Sequence, residues 1–251
     1  MSFFVMLLLG IVQGVCEFLP ISSSGHLVLL SSLFGVEESI FVSVVLHLAT
    51  LLAVIIVFRA KLVYVVKHPF CLLSKCLFVA TISTCFVGFF CLPLLKNSFS
   101  GKILPFSFIF TGALLLLLPY LPKKKNSGLT IRKAVFVGLT QAVALFPGIS
   151  RSGTTICGGQ MCGLSQKESA EFSFLLSIPT ILASLCLELV DLSFGAVLNI
   201  NWFALLIGFL LAFVVGIVSI KFMLRLIEKS KLKWFSLYLF VLALVCMVIF
   251  W

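Results

Sequence analysis

The chain has 251 residues, of which 62% are hydrophobic and only 10% charged, against about 45–50% and 25% in soluble domains. This excludes an ordinary water-soluble enzyme and indicates an integral membrane protein with room for roughly six or seven spans of about 20 residues. The net charge of +10 would suit nucleic acid in a soluble protein, but in a membrane chain basic residues first report topology.

The N-terminus lacks the basic start of a signal peptide and runs straight into a polar stretch, so it is expected to stay in the mature fold. Residues 3–34 do not fit one spanning helix. Pro20 and the run Ser22-Ser23-Ser24-Gly25 interrupt the apolar pattern, and the piece after them, 27–34, covers only about 12 Å of a core of about 30 Å. A re-entrant helical hairpin is expected, and broken backbone at that depth is tolerated only where it is buried in protein or lines a wet cavity. Three spans follow at 40–58, 76–95 and 103–121. A basic turn comes next, Pro122-Lys-Lys-Lys-Asn-Ser-Gly. The segment 134–146 is again too short to cross and leads into Pro147-Gly148-Ile149-Ser150-Arg151-Ser152-Gly153-Thr154-Thr155, which predicts a second hairpin over about 134–166. Three more spans are expected at 170–190, 202–220 and 234–251.

Aligning Gly10 with Gly138 brings Gln13, Val15, Phe18, Ile21, Ser22, Ser24 and Gly25 onto Gln141, Val143, Phe146, Ile149, Ser150, Ser152 and Gly153 without a gap. The chain therefore reads as a duplication, 1–125 and 126–251, forming one membrane domain. Three crossings separate the two hairpins, so the second half is inserted upside down relative to the first, an inverted-topology repeat. Such repeats set their broken segments near the midplane, with helix N-termini aimed at an anionic ligand. The expected fold is thus all-α and polytopic, with six transmembrane helices and two re-entrant helical hairpins. Basic residues test it. Arg59, Lys61, Lys67, Lys75, Lys123, Lys124, Lys125, Arg132, Lys133, Lys167, Lys221, Arg225, Lys229, Lys231 and Lys233 fall on one side, and only Lys96 and Lys102 on the other. That bias puts the basic loops in the cytoplasm and both termini outside. The positive charge is then topological, and no nucleic-acid partner is expected.

Most carboxylates have ordinary explanations. Glu37 and Glu38 sit in an outer connection, Glu228 among lysines, Glu188 and Asp191 at a span end, and Glu168 and Glu171 at the positive start of a helix. Glu17 is the exception, because it lies in the first broken stretch with Gln13 one turn earlier. Two oxygen-bearing side chains at i and i+4 share a helix face and suit either a hard divalent cation beside phosphate oxygens or a hydrogen-bond clamp between helices. Arg151 is the one cation of the second broken stretch, and its anion is either a phosphate, gripped by both arms of the guanidinium, or Glu17 itself. Ser150, Ser152, Gly153, Thr154 and Thr155 surround it with hydroxyls and N–H groups at a helix start, a natural anion seat. Ser22, Ser23, Ser24 and Gly25 offer the same on the other repeat. His26 follows Ser23 by three residues and is placed to reach it. That spacing allows a serine nucleophile with a histidine base, or a histidine acting as nucleophile or as leaving-group acid. His47, in mid-span, reads as a packed hydrogen-bonder. Nine cysteines form no CxxC pair, and neither a zinc site nor a disulfide framework is expected.

At Gln13-Gly-Val-Cys-Glu17-Phe18-Leu19-Pro20-Ile-Ser22-Ser23-Ser24-Gly25-His26, at Pro147-Gly148-Ile-Ser150-Arg151-Ser152-Gly153-Thr154-Thr155 and at Ala170-Glu171-Phe172-Ser173-Phe174-Leu175-Leu176, the sequence resembles the bacterial undecaprenyl-diphosphatase family, the bacitracin-resistance phosphatases. The resemblance covers nearly the whole chain. It implies a membrane hydrolase of the cell (inner) membrane that converts undecaprenyl diphosphate to the monophosphate carrier of peptidoglycan synthesis. A divalent cation, Mg2+ or else Ca2+, is implied with it. Functional positions fall by analogy on Gln13, Glu17, Ser23, His26, Ser150, Arg151 and Thr155, with the site opening to the outer face. This chain departs from the family in carrying Gln13 where many relatives have Glu. The competing reading is a transporter or flippase of lipid phosphate, since inverted repeats with broken helices are also transporter architecture. The chain's partners are then an isoprenoid diphosphate and membrane lipid, with a homodimer left open.

Overall fold

The computed structural model describes residues 2–36, 39–96, 101–120, 128–191, 200–228 and 232–251. Its helices, in order, are α1 Phe3–Cys16, α2 Ser23–Leu33, α3 Ile40–Val57, α4 Arg59–Lys67, α5 Leu72–Lys96, α6 Leu104–Leu117, α7 Ile131–Val143, α8 Arg151–Met161, α9 Gln166–Asp191, α10 Trp202–Glu228 and α11 Lys233–Phe250. No strand occurs among the described residues. Six helical segments are long and apolar enough to cross a membrane: Ile40–Val57, Leu72–Cys91, Gly101–Tyr120, Gln166–Val190, Trp202–Ile227 and Lys233–Phe250. These are the six spans expected from the sequence. Glu37, Glu38, the Lys123–Lys125 turn, Lys229 and Lys231 lie outside the described residues.

The short helices have local causes. α1 opens on Ser2, whose hydroxyl accepts the Val5 N–H, and it stops short of Pro20, which has no N–H to continue the ladder. α2 and α8 each open on a serine, Ser22 and Ser150, whose hydroxyl accepts the N–H three residues on, the usual N-cap bond. α7 begins behind Thr130, which caps Lys133. The spanning helix α10 runs past Lys221 and Arg225 to Glu228, because long basic side chains extend to the polar boundary while their stems stay apolar.

The two halves exchange partners. α1 packs along α10, α7 packs along α5, and α6 packs on α11, with α3 touching both α9 and α10. The entry helix of each half thus lies on a long helix of the other. Small residues permit the approach: a Cβ on Gly14 would come within 2.7 Å of the Ala212 carbonyl oxygen, and Gly10 and Gly138 lie against the backbones of Gly208 and Ala80. Without a strong hydrophobic drive between helices in lipid, close backbone contact at small residues is how such pairs hold together. Phe18, Phe108, Phe174, Leu115 and Leu176 fill the centre. Large apolar side chains such as Phe78, Phe89, Val214 and Val218 are exposed on the outside, the surface a bilayer would cover.

The charged ends also meet. Lys61 of α4 pairs with Glu171 of α9 at 2.5 Å, and Lys133 Nζ donates to the carbonyls of Gly128 and Gly163. Ring pairs join the opposite ends of other helices, Phe3 with Phe203, Phe41 with Trp202 and Phe106 with Trp251.

Candidate active site

The turn after α1 (residues 17–22) and the turn after α7 (residues 144–150) meet in the interior, and each is tied to the other. Ser152 Oγ donates to the Leu19 carbonyl at 2.9 Å, and the Gly148 N–H donates to Ser24 Oγ at 3.4 Å. Internal bonds repeat across the halves: Ser22 Oγ lies 3.3 Å from Ser24 Oγ, and Ser150 Oγ lies 3.2 Å from Ser152 Oγ. Ser107 and Thr111 of α6 hold the second turn, Ser107 Oγ donating to the Pro147 carbonyl and the Ser150 N–H donating to Thr111 Oγ1. Such ties satisfy buried backbone that neither helix can serve.

Glu17 is the hub. Its Oε1 takes a short hydrogen bond from Arg151 Nη2. Its Oε2 accepts from Ser23 Oγ at 2.7 Å and from Gln13 Nε2 at 3.2 Å. Ser23 and Arg151 are equivalent positions of the two halves, each the first residue of its helix, so one carboxylate draws both helix starts together. The carboxylate is 7% exposed as a residue and Gln13 fully buried. Ionised groups at that depth must be paired. Among the buried polar atoms left without a partner in the described residues are Gln13 Oε1, an acceptor, and Arg151 Nη1, a donor; Gln141 Oε1, at the position equivalent to Gln13 in the second half, is another.

α3 adds a side chain that the sequence reading set aside. His47 Nε2 stands 3.9 Å from Glu17 Oε2, while its Nδ1 bonds to the Ser43 carbonyl at 2.9 Å. Thr50, one turn on, accepts from the Gln13 amide. His26 differs from expectation. Its Nδ1 lies 2.7 Å from the Ser22 carbonyl oxygen and its Nε2 lies 2.7 Å from the hydroxyl of Tyr238 on α11, so the ring is not hydrogen-bonded to Ser23, whose hydroxyl goes to Glu17. Thr154 and Thr155 bond to carbonyls of their own first turn, and Thr155 also reaches Ser173 of α9 at 2.6 Å. They anchor the α8 start rather than offering free hydroxyls. Glu171 serves the Lys61 pair at the molecule's edge.

The oxygen-rich surroundings of Glu17 test the implied cation. Among the described residues no three His, Cys, Asp or Glu side chains cluster, which argues against a cage of protein ligands. One carboxylate with the Gln13 amide next to it fits a small hard cation that keeps waters and takes phosphate oxygens once that amide, whose nitrogen faces Glu17 here, turns its unpartnered oxygen toward the carboxylate.

A helical, multi-pass membrane protein with one buried carboxylate–guanidinium pair at two facing helix starts is built to handle an anion inside the membrane. The chain belongs to the bacitracin resistance protein BacA family, whose profile matches residues 6–245. It is 38% identical to an undecaprenyl-diphosphatase of Carboxydothermus hydrogenoformans, over 99% of this chain and 98% of the relative. It is 37% identical to undecaprenyl-diphosphatases of Methanobrevibacter smithii, over 95% of this chain and 94% of the relative, and of Treponema denticola, over 100% and 98%.

Proposed function

We propose that the chain is an undecaprenyl-diphosphatase, a membrane phosphatase that hydrolyses undecaprenyl diphosphate to the monophosphate and inorganic phosphate. Full-length relatives carry that name. The observation in this molecule that supports it is the pair of buried orphan atoms flanking Glu17, an oxygen at Gln13 and an N–H at Arg151. An acceptor left open calls for a cation, and a guanidinium arm left open calls for an anion. A divalent cation on a diphosphate meets both needs at once.

Arg151 grips the terminal phosphate with the arm that Glu17 does not use, and the first-turn N–H groups of α8 and α2 that the Ser150 and Ser22 caps do not take are offered to the same anion. Ser22, Ser24, Ser150 and Ser152 keep those helix starts in register. Ser23 attacks: its Oγ bonds to the terminal phosphorus as the bridging P–O bond breaks, and its proton passes to Glu17, already its hydrogen-bond acceptor. Water then displaces the serine oxygen from phosphorus, the serine recovering its proton from Glu17 while His26 of the same helix takes the water proton. Glu17 and the Gln13 oxygen would hold Mg2+ or Ca2+, which supplies charge neutralisation on the diphosphate. A lipid-phosphate carrier would need the guanidinium but has no use for a hydroxyl set on a carboxylate, which favours hydrolysis over transport. The inverted insertion of the two halves, outward termini and an outward-opening site in the cell membrane belong to the same reading. Phosphate release from undecaprenyl diphosphate by the purified protein in detergent tests it, and a protein that binds the lipid without releasing phosphate would overturn it.

A further inference from the structure

His26 is placed by two residues that come from opposite ends of the chain. On one side the Ser22 carbonyl sits 2.7 Å from Nδ1. A carbonyl can only accept, so Nδ1 carries a hydrogen. Ser22 is also the one non-glycine residue with positive φ among the described residues, at 70°, a conformation that costs of order 1–3 kcal/mol and persists at sites where surrounding structure requires it. Here the twist leaves its carbonyl on the imidazole. On the other side Tyr238 of α11 lies parallel to the imidazole, at 11° with centroids 5.7 Å apart, and its hydroxyl is 2.7 Å from Nε2. Phe108 of α6 closes a third side edge-on. Among the described residues no carboxylate bonds to either nitrogen, so the buried ring is held neutral, Nε2 bears a lone pair, and the Tyr238 O–H donates to it.

We infer that Tyr238 is a positioning residue of the hydrolysis, holding His26 in the Nδ1–H tautomer with Nε2 as a ready proton acceptor until water or phosphate takes the tyrosine's place. The inference deepens the phosphatase reading and rests on it. The other titratable groups near Tyr238 are the thiols of Cys16 on α1 and Cys246 on α11.

Tyr238→Phe keeps the ring and removes only the donor. The donated bond exists only with neutral His26, so its loss raises the histidine's pKa. The acid limb of kcat/KM, which reports the free enzyme, should move to higher pH by roughly half a unit to one unit, the size of one neutral hydrogen bond. At neutral pH kcat/KM should fall about 3- to 10-fold. A direct readout avoids turnover altogether: in full-length protein labelled with 15N-histidine, carrying His47→Gln and His68→Gln so that one imidazole remains, the His26 signals should titrate higher in Tyr238→Phe and show a mixture of tautomers. An unchanged titration and tautomer, with an unshifted limb and an unaltered melting temperature, would make Tyr238 a mere neighbour. A fall in melting temperature with KM and kcat changed together and the limb in place would make it a packing residue. Full activity of His26→Ala would overturn the inference by a different route, by removing the site reading beneath it, and that variant separates the two failures.

Discussion

A buried carboxylate shared by a guanidinium and a hydroxyl keeps its place only while both donors reach it, so substitutions around Glu17 sort by which bond they remove. Arg151→Lys retains the charge but cannot hold Glu17 with one arm and phosphate with the other. Turnover should drop roughly 10- to 150-fold, the value of one hydrogen bond to a charged group, with the melting temperature little changed; near-normal kcat/KM would reduce Arg151 to a structural ion pair. A double-mutant cycle separates the partners of Ser23. Ser23→Ala and Glu17→Gln, which share a 2.7 Å bond, should each cost on the order of a thousandfold and show little further loss when combined, because members of one catalytic unit are not additive. His26→Ala should instead leave the first step intact and accumulate the phosphoserine, whereas Ser23→Ala should form none, since the two side chains make separate contacts and serve successive steps. His26→Ala and Ser23→Ala equally inactive, with no phosphoserine trapped in His26→Ala, would restore the serine–histidine dyad that the sequence spacing suggested. Glu17 and Arg151 were legible in the sequence because a charge amid apolar residues must have a purpose. His47 and Tyr238 were not, since each sits inside a regular apolar helix and meets the site only through tertiary packing. The one available hint was Thr50, one turn after His47 on the same helix face.

At the scale of elements, the breaks between α1 and α2 and between α7 and α8 were readable because proline, glycine and serine runs cannot continue a spanning helix. What the pattern could not show is how tightly the two turns interlock. Gly148 has φ of 84° and a Cβ there would meet the Ser107 side chain at 2.8 Å. Gly35 has a similar φ of 60° but open space around it. Gly35→Ala should therefore cost about 1–2 kcal/mol for conformation alone, and Gly148→Ala should cost about 1–3 kcal/mol more from overpacking, together with activity, because the displaced Pro147–Gly148 backbone is bonded to Ser107 and Ser24. Thermal unfolding of the two variants in detergent checks it, and equal melting temperatures would show the turn to be loosely packed. The helix α4 was not foreseen. Its sequence, Arg-Ala-Lys-Leu-Val-Tyr-Val-Val-Lys, is too short to span and too mixed to bury, and none of its residues is buried. Exposed Tyr64 and Val66 beside Arg59, Lys61 and Lys67 suit a helix lying in the membrane–water boundary, where apolar and basic side chains are both accommodated.

At the scale of the whole molecule, the charge asymmetry and the reciprocal packing constrain one another. α1 lies on α10 and α7 on α5, and in the inverted insertion proposed above the basic ends joined by Lys61–Glu171 and by Lys133 would fall together on the side where the sequence places fifteen lysines and arginines. The aromatic pairs at Phe3, Phe41 and Trp251 then mark the opposite boundary, as aromatic belts do. Composition could reveal the six crossings because they are set residue by residue against lipid, and the lysine and arginine bias carries an expectation of their orientation. It could not reveal the exchange of partners between halves, which depends on small residues far apart in sequence. The orientation has a direct test in fusions to alkaline phosphatase, an enzyme that folds only where its disulfides can form. Joined after Trp251 the reporter should be active, and joined at Asn126, after the basic turn, it should be inactive. Moving three lysines to the 97–100 connection while replacing Lys123, Lys124 and Lys125 with asparagine should weaken the contrast, since short-loop lysines and arginines set orientation. Activity at Asn126 in the unaltered chain would turn the molecule over, put the site's approach on the cytoplasmic side, and leave the chemistry at Glu17 where it is.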